Sequence, residues 1–139
     1  MIIADTNLVS YLLIEGERTP SARDVRRRDP EWVVPPLWRS EFLSVLTTAV
    51  RSGLIAEEQA LSIWWNANEL LSGQEQEPSG ESVLTTALQY KISAYDAHFV
   101  VLAADLSVPL VTSDRDVAKR CPKLAVTIED FASELKTEN

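Results

Sequence analysis

The chain has 139 residues, of which 45% are hydrophobic and 24% charged, and its formal net charge is −8 at pH 7. This length is enough for one hydrophobic core and too short for a second, so we expect a single domain over residues 1–139. The composition matches an ordinary soluble globular protein and suggests neither disorder nor a fibrous repeat. The negative charge argues against binding of nucleic acid by surface charge alone. A divalent cation bound among acidic residues would, however, attract phosphate at that place.

The sequence carries no sign of a membrane or secreted protein. No apolar run approaches the roughly 20 residues that span a bilayer, and residues 1–5 lack the basic start and long apolar core of a signal peptide. We therefore expect a cytoplasmic location. Cys121 is the single cysteine, which excludes an intramolecular disulfide and a cysteine-based zinc site and predicts a buried or loop thiol.

The first half of the chain alternates short apolar runs with helical patterns. Between residues 37 and 52 the apolar positions recur every three to four residues, which is typical of an amphipathic helix, and Gly53 suits the position that ends it. The predicted elements are a strand over 1–4, helices over 8–14 and 21–28, a strand over 32–35, and helices over 37–52 and 57–71.

The second half begins with a polar loop over 75–80, in which a brief strand remains possible. Beyond it we predict helices over 81–91 and 94–106, a strand over 109–112, a helix over 114–120, a strand over 125–127 and a helix over 128–135. Strands that alternate with helices predict an α/β fold, with a central parallel β-sheet flanked by helices on both faces.

Two aspartates follow predicted strands. Asp5 and Asp114 come at carboxyl ends, and in parallel sheets ligands bind at that edge. Each also has a purely structural interpretation, because aspartate caps the helix that follows it well. Asp96 also has a structural interpretation, because Ser93 and Asp96 have the spacing of a variant capping box.

Glu41 is harder to explain in this way, because it falls within the predicted helix over 37–52. Its helical neighbours are apolar or neutral, so we expect its face to point inward, while Arg39 points elsewhere. These neighbours are Leu37, Trp38, Ser44, Val45 and Thr48. A buried carboxylate without a partner costs on the order of several kcal/mol. A cation shared with other acids would offset that cost, and a salt bridge to a distant arginine is the alternative.

These acids favour a hard, oxygen-liganded ion such as Mg²⁺ or Mn²⁺ over zinc, since no cysteine or histidine accompanies them. His98 is the only histidine. It points to a different helical face from Asp96, and we interpret it as structural. The sequence therefore argues against a Ser-His or Cys-His catalytic pair within this chain.

Four motifs in order carry a family resemblance over residues 2 to about 130. They are Ile3-Ala4-Asp5-Thr6-Asn7, Ser40-Glu41-Phe42, Tyr95-Asp96-Ala97 and Leu110-Val111-Thr112-Ser113-Asp114. Together they resemble the PIN-domain ribonucleases, particularly the VapC-type toxins of type II toxin–antitoxin systems.

The resemblance implies a Mg²⁺- or Mn²⁺-dependent endoribonuclease whose metal-binding and catalytic residues are Asp5, Glu41, Asp96 and Asp114. Thr112 and Asn7 would be supporting polar groups. Asp116 would be an accessory ligand, although its surroundings depart from the family pattern, which often has an aromatic residue there. Asp96 or Glu41 would orient or deprotonate the attacking water. The implied partners are the RNA substrate, a cognate antitoxin protein and a second copy of the chain.

Two further features suit contacts with RNA or a partner. One is the basic patch of Arg23, Arg26, Arg27 and Arg28, for which a solvated helix face is the structural alternative. The other is Trp65, which shares a polar helical face, whereas Trp64 lies with Ala60, Leu61 and Leu71 and is predicted to be core.

Other functions fit the motifs less well. A haloacid-dehalogenase-type phosphatase needs an acid where the chain has Asn7. A response-regulator receiver needs an acidic pair near the first strand and a lysine after a later one, and the sequence supplies neither. A non-catalytic PIN-fold interaction module and a housekeeping RNA-processing nuclease remain as alternatives.

Overall fold

The computed structural model describes residues 1–138, with side chains described through residue 133. Four strands form its sheet: β1 (Ile2–Ala4), β2 (Trp32–Val33), β3 (Leu110–Thr112) and β4 (Ala125–Thr127). They pair in parallel in the order β2-β1-β3-β4. The predicted parallel sheet is therefore confirmed.

Eight helices connect and cover these strands in the described part of the chain. They are α1 (Thr6–Leu13), α2 (Thr19–Arg28), α3 (Trp38–Arg51), α4 (Glu57–Leu70), α5 (Gly80–Tyr90), α6 (Ala94–Leu106), α7 (Arg115–Arg120) and α8 (Ile128–Glu138). Helix α2 begins earlier than predicted because Pro20 falls in its first turn, where proline is tolerated. Among the described residues, no helix has the length and apolarity to cross a bilayer.

Strand β2 is shorter than predicted, and the reason lies in its sequence. The predicted strand ran to Pro35, but proline has no amide hydrogen to continue the ladder. Val34 instead forms an isolated parallel bridge with Glu75, in which the Gln76 amide donates to the Val34 carbonyl at 2.9 Å. The possible brief strand in the polar loop over 75–80 is therefore a single bridge residue.

Alternate strand residues face opposite sides of the sheet, which divides the core in two. Ile2 and Ala4 join residues of α1, α2, α3, α4 and α8 in one buried cluster. Ile3 joins residues of α6 and α7 in another, together with the buried thiol Cys121. Helices therefore cover both faces, as predicted.

Helix α4 presents a narrower apolar stripe than its sequence predicts. Trp64 packs against Trp38 and Phe42, with ring centroids 5.7 and 6.5 Å apart. Leu61 was predicted to be core but is 57% exposed, because the stripe through Trp64 and Ala67 turns it outward. Trp65 is 65% exposed, in agreement with its predicted position on the polar face.

The strand order creates a crevice at one edge of the sheet. From β1 the chain moves to β2 on one side, and from β3 it moves to β4 on the other. The carboxyl ends of the neighbouring strands β1 and β3 therefore flank a point where the winding reverses, which is the usual ligand site of such sheets. Asp5 directly follows β1, and Asp114 lies two residues beyond β3.

Candidate acidic site

A cavity of about 330 Å³ lies at this edge of the sheet. Its wall contains the carboxylates of Asp5, Glu41, Asp96 and Asp114. The predicted supporting residues Asn7 and Thr112 line it as well, as do Thr6, Ser44, Val45, Phe99, Leu110, Ser113 and Val117. The structure thus brings together residues from four separate motifs of the sequence.

Asp5 is both a helix cap and part of the cavity wall. Its Oδ1 accepts the Leu8 amide at 2.7 Å, which caps α1. Its Oδ2 accepts the Thr112 hydroxyl and the Ser113 amide, each at 2.8 Å. Burial raises the pKa of Asp5, while these hydrogen bonds oppose the rise. The two interpretations of this residue are therefore compatible.

Asp114 combines the same two positions on the neighbouring strand. Its Oδ1 accepts the amides of Asp116 at 2.9 Å and Val117 at 3.1 Å, which caps α7. The backbone amide of Asp114 donates to the Thr112 hydroxyl at 3.0 Å. Because both cap bonds fall on Oδ1, the cap leaves the other oxygen of this carboxylate uncommitted.

Glu41 lies in the first turn of α3, not in its interior, and is half-buried. Glu41 is less buried than predicted, because Trp38, Phe42 and Leu46 occupy the core side of the helix. Its Oε1 accepts the Thr6 hydroxyl at 2.7 Å. Burial raises the pKa of Glu41, and the negative charges of Asp96 and Asp5 raise it further.

The alternative of a distant arginine partner for Glu41 is not observed. Within the described residues, no ion pair includes any of the four cavity acids. Arg39, two positions before Glu41, points away and holds Glu75 through two hydrogen bonds of 2.8 Å. The acids of the cavity thus face one another without a neutralising arginine or lysine.

Asp96 lies in the first turn of α6, where Ser93 caps the helix by accepting the Asp96 amide at 3.0 Å. Burial raises the pKa of Asp96, the Ser93 hydroxyl opposes this, and the charges of Asp114 and Asp116 raise it further. His98 lies outside the cavity lining, and its Nδ1 donates to the Ala94 carbonyl at 2.6 Å. That bond is consistent with the structural role predicted for the histidine.

Asp116 is not part of the cavity wall. Its carboxylate accepts a 2.8 Å hydrogen bond from Arg120, one turn further along α7. The sequence reasoning did not single out two residues that contact the acids, Thr6 and Ser113. Each directly adjoins a predicted site aspartate in the sequence, and that adjacency was the signal available.

The basic patch has contacts of its own away from the cavity. The Arg26 guanidinium donates to the Pro30 carbonyl at 3.1 Å, Arg27 pairs with Asp24 at 3.3 Å, and Arg28 donates to the Phe131 carbonyl at 3.1 Å. These residues end α2 just before β2 begins, at the amino edge of a parallel sheet. A role for Arg26, Arg27, Arg28 or Trp65 in contacts with RNA or a partner stays a prediction.

The donor set of the cavity fits a hard divalent ion held partly through water. Carboxylate and hydroxyl oxygens line it, and burial raises the pKa values of three of its acids, an effect that a bound cation would oppose. In the described part of the chain, however, no three acid, histidine or cysteine side chains converge closely enough to hold one ion directly. Mg²⁺ commonly keeps several waters and takes only one or two carboxylates from the protein.

The fold and the cavity define a doubly wound α/β protein with an acidic cavity at the point where its winding reverses. The PIN domain family matches residues 2–123, and the chain belongs to that family. Ribonuclease VapC3 from Pyrobaculum aerophilum is 25% identical over 126 residues, which cover 88% of this chain and 96% of that protein. The predicted family resemblance is therefore confirmed.

A solved structure shows the same fold. The crystal structure of PAE2754 from Pyrobaculum aerophilum superimposes with a TM-score of 0.76 and 18% sequence identity. The match covers 98% of this chain and 96% of that one. At this identity the comparison supports the α/β PIN-like architecture.

Proposed function

We propose that this chain is a metal-dependent endoribonuclease and that it serves as the toxin of a toxin–antitoxin pair. The observation that carries the proposal is the meeting of Asp5, Glu41, Asp96 and Asp114 at one open cavity without an arginine or lysine partner among the described residues. Membership of the PIN family and the similarity to Ribonuclease VapC3 support the nuclease and toxin assignments.

The four carboxylates would hold Mg²⁺ or Mn²⁺ partly through bound water, with Thr112 and Asn7 as supporting groups. A bound divalent ion would lower the pKa of a water molecule and neutralise charge on the scissile phosphate. Thr112 fixes Asp5 through its hydroxyl, and Asn7 donates to the Ser113 hydroxyl at 3.0 Å. These bonds hold the carboxyl ends of β1 and β3 in register across the site.

Glu41 and Asp96 are suited to accept a proton from the attacking water. Burial raises the pKa of each, and a base works best when its pKa approaches the working pH. Asp5 and Asp114 instead accept backbone amides that cap α1 and α7. Glu41 and Asp96 cap no helix, which leaves their carboxylates better placed to move a proton.

A non-catalytic PIN-fold module is less consistent with the energetics of this site. Three raised carboxylate pKa values mean that the ionised acids cost folding free energy at neutral pH. An interaction module would not need Glu41 or Asp96, neither of which caps a helix. A housekeeping nuclease remains the second candidate, because it would use the same cavity.

The proposed partners are RNA, a cognate antitoxin and a second copy of the chain, all met in the cytoplasm. An apolar groove of about 420 Å³ between α3 and α4 supports a protein partner. Leu43 and Leu61 line it and are exposed in the single chain, and Trp65 stands exposed on the same helix as Leu61.

Cleavage of RNA by the purified chain, free of antitoxin, tests the proposal. We expect cleavage with Mg²⁺ or Mn²⁺, none with excess chelator, and a loss of at least about 100-fold in Asp96→Asn, which removes a metal ligand and a candidate base. Asp105→Asn is the matched control, because Asp105 is an exposed acid on the same helix, outside the cavity.

Two results would count against this function. Cleavage by Asp96→Asn at the parental rate would refute the site, and cleavage unaffected by chelator would refute metal dependence. Growth arrest on expression, reversed by Asp96→Asn, would favour a toxin, whereas harmless expression of an active enzyme would favour the housekeeping nuclease.

A further inference from the structure

Thr6 makes a contact that neither its helix nor the core requires. It is the first residue of α1, is 7% exposed and lines the acidic cavity. Its hydroxyl donates to Oε1 of Glu41 at 2.7 Å. Among the described residues, this is the one hydrogen bond that the Glu41 carboxylate receives. It joins the end of β1 to the first turn of α3.

The capping of α1 does not explain the role of the Thr6 hydroxyl. The cap is Asp5, whose carboxylate already accepts the Leu8 amide. Nor does the core hold the hydroxyl, because it donates to Glu41 in the wall of the cavity. The hydroxyl is instead committed to a carboxylate that Asp96 and Asp5 repel.

The chemistry of a hydroxyl limits what this bond can do. Threonine donates a single hydrogen, so it can restrain one oxygen of Glu41. The bond falls on Oε1 and leaves Oε2 without a protein donor among the described residues. A carboxylate restrained in this way loses less rotamer freedom when it binds an ion.

We propose that Thr6 is a positioning residue that holds Glu41 by one oxygen and leaves the other for a divalent ion in the cavity. This inference rests on the proposed function, since it assumes that the cavity binds an ion. Groups that orient metal ligands typically contribute about 10- to 100-fold in metal affinity. Thr6 should therefore affect ion affinity even though it is not itself among the four acids.

Calorimetric titration of Mn²⁺ into Thr6→Val, Thr6→Ser and the parent tests the inference. We expect Thr6→Val to weaken Mn²⁺ binding by about 10-fold or more, and Thr6→Ser, which keeps the hydroxyl, to restore most of the affinity. Ser10→Ala is the matched control. Ser10 is a buried hydroxyl on the same helix that donates to the Thr6 carbonyl at 3.0 Å and does not line the cavity.

The possible outcomes separate this inference from the proposed function. If the parent binds Mn²⁺ and cleaves RNA but Thr6→Val binds Mn²⁺ as tightly, the role of Thr6 is refuted and the nuclease stands. If Ser10→Ala weakens binding as much as Thr6→Val, the effect is a general loss of α1 stability and the inference fails. If the parent neither binds Mn²⁺ nor cleaves RNA, both fail. Circular dichroism of each variant confirms that the comparison is between folded proteins.

Discussion

At the scale of single residues, the site is a set of carboxylates kept where burial disfavours their charge. Burial raises the pKa values of Asp5, Glu41 and Asp96, and neighbouring acids raise those of Glu41 and Asp96 further. A group that binds its proton more tightly when folded adds stability at low pH. That contribution is lost as the pH rises through the folded-state pKa. The ion-free protein should therefore gain stability when Asp96, which caps no helix, is neutralised.

Asp96→Asn should raise the melting temperature of the chelator-treated protein at pH 8, by about 2–4 °C. The advantage should shrink as the pH falls, because the parental Asp96 then becomes protonated and uncharged. Differential scanning calorimetry of both proteins between pH 5 and pH 8 measures this difference. An advantage that is absent at pH 8, or that grows toward pH 5, would show that Asp96 is not under electrostatic strain.

At the scale of elements, the starts of helices position the site. Helices α1, α6 and α7 begin beside cavity acids and are capped by Asp5, Ser93 and Asp114. The start of α3 is held differently. Glu75, in the loop after α4, accepts two hydrogen bonds from Arg39 and one from the Trp38 indole at 2.9 Å. These three hydrogen bonds hold the first turn of α3, which carries Glu41, in place.

Replacement of Arg39 by methionine should destabilise the chain by about 1 kcal/mol, because the ion pair is partly exposed but bidentate and shares its acceptor with Trp38. Arg39 also lowers the pKa of Glu75, so this contribution should fade as the pH falls through that lowered value. Urea unfolding of Arg39→Met, Glu75→Gln and the double variant measures the coupling.

Arg51→Met serves as the control for this cycle, since Arg51 ends the same helix and is exposed. Strictly additive effects of Arg39→Met and Glu75→Gln would mean that the Arg39–Glu75 pair contributes no coupling energy to stability.

At the scale of the whole molecule, the sheet and its order decide which acids meet. The sequence was sufficient to predict the parallel sheet and the order and approximate bounds of the helices, because strand runs and helical periodicity are local. It also led to all four cavity acids. What it missed depended on packing between distant elements. The half-exposed position of Glu41 follows from which side of α3 carries Trp38 and Phe42, and the exposure of Leu61 from the narrow contact that α4 makes.

The long-range hydrogen bonds could not be predicted from the sequence either. The Thr6–Glu41 contact joins residues 35 apart, and the Thr112–Asp5 contact joins residues 107 apart. No local pattern encodes such a pair. The order β2-β1-β3-β4, which places Asp5 beside Thr112, is likewise a property of the assembled sheet.

The proposed metal site joins four carboxylates from distant parts of the chain. Calorimetric titration of Mn²⁺ into the parent and into Asp5→Asn, Glu41→Gln, Asp96→Asn and Asp114→Asn tests it most directly. We predict that the parent binds Mn²⁺ and that each of the four folded variants binds it at least about 10-fold more weakly, as expected when a ligand or its orientation is lost. Parental affinity in all four variants would show that these carboxylates do not form one metal site.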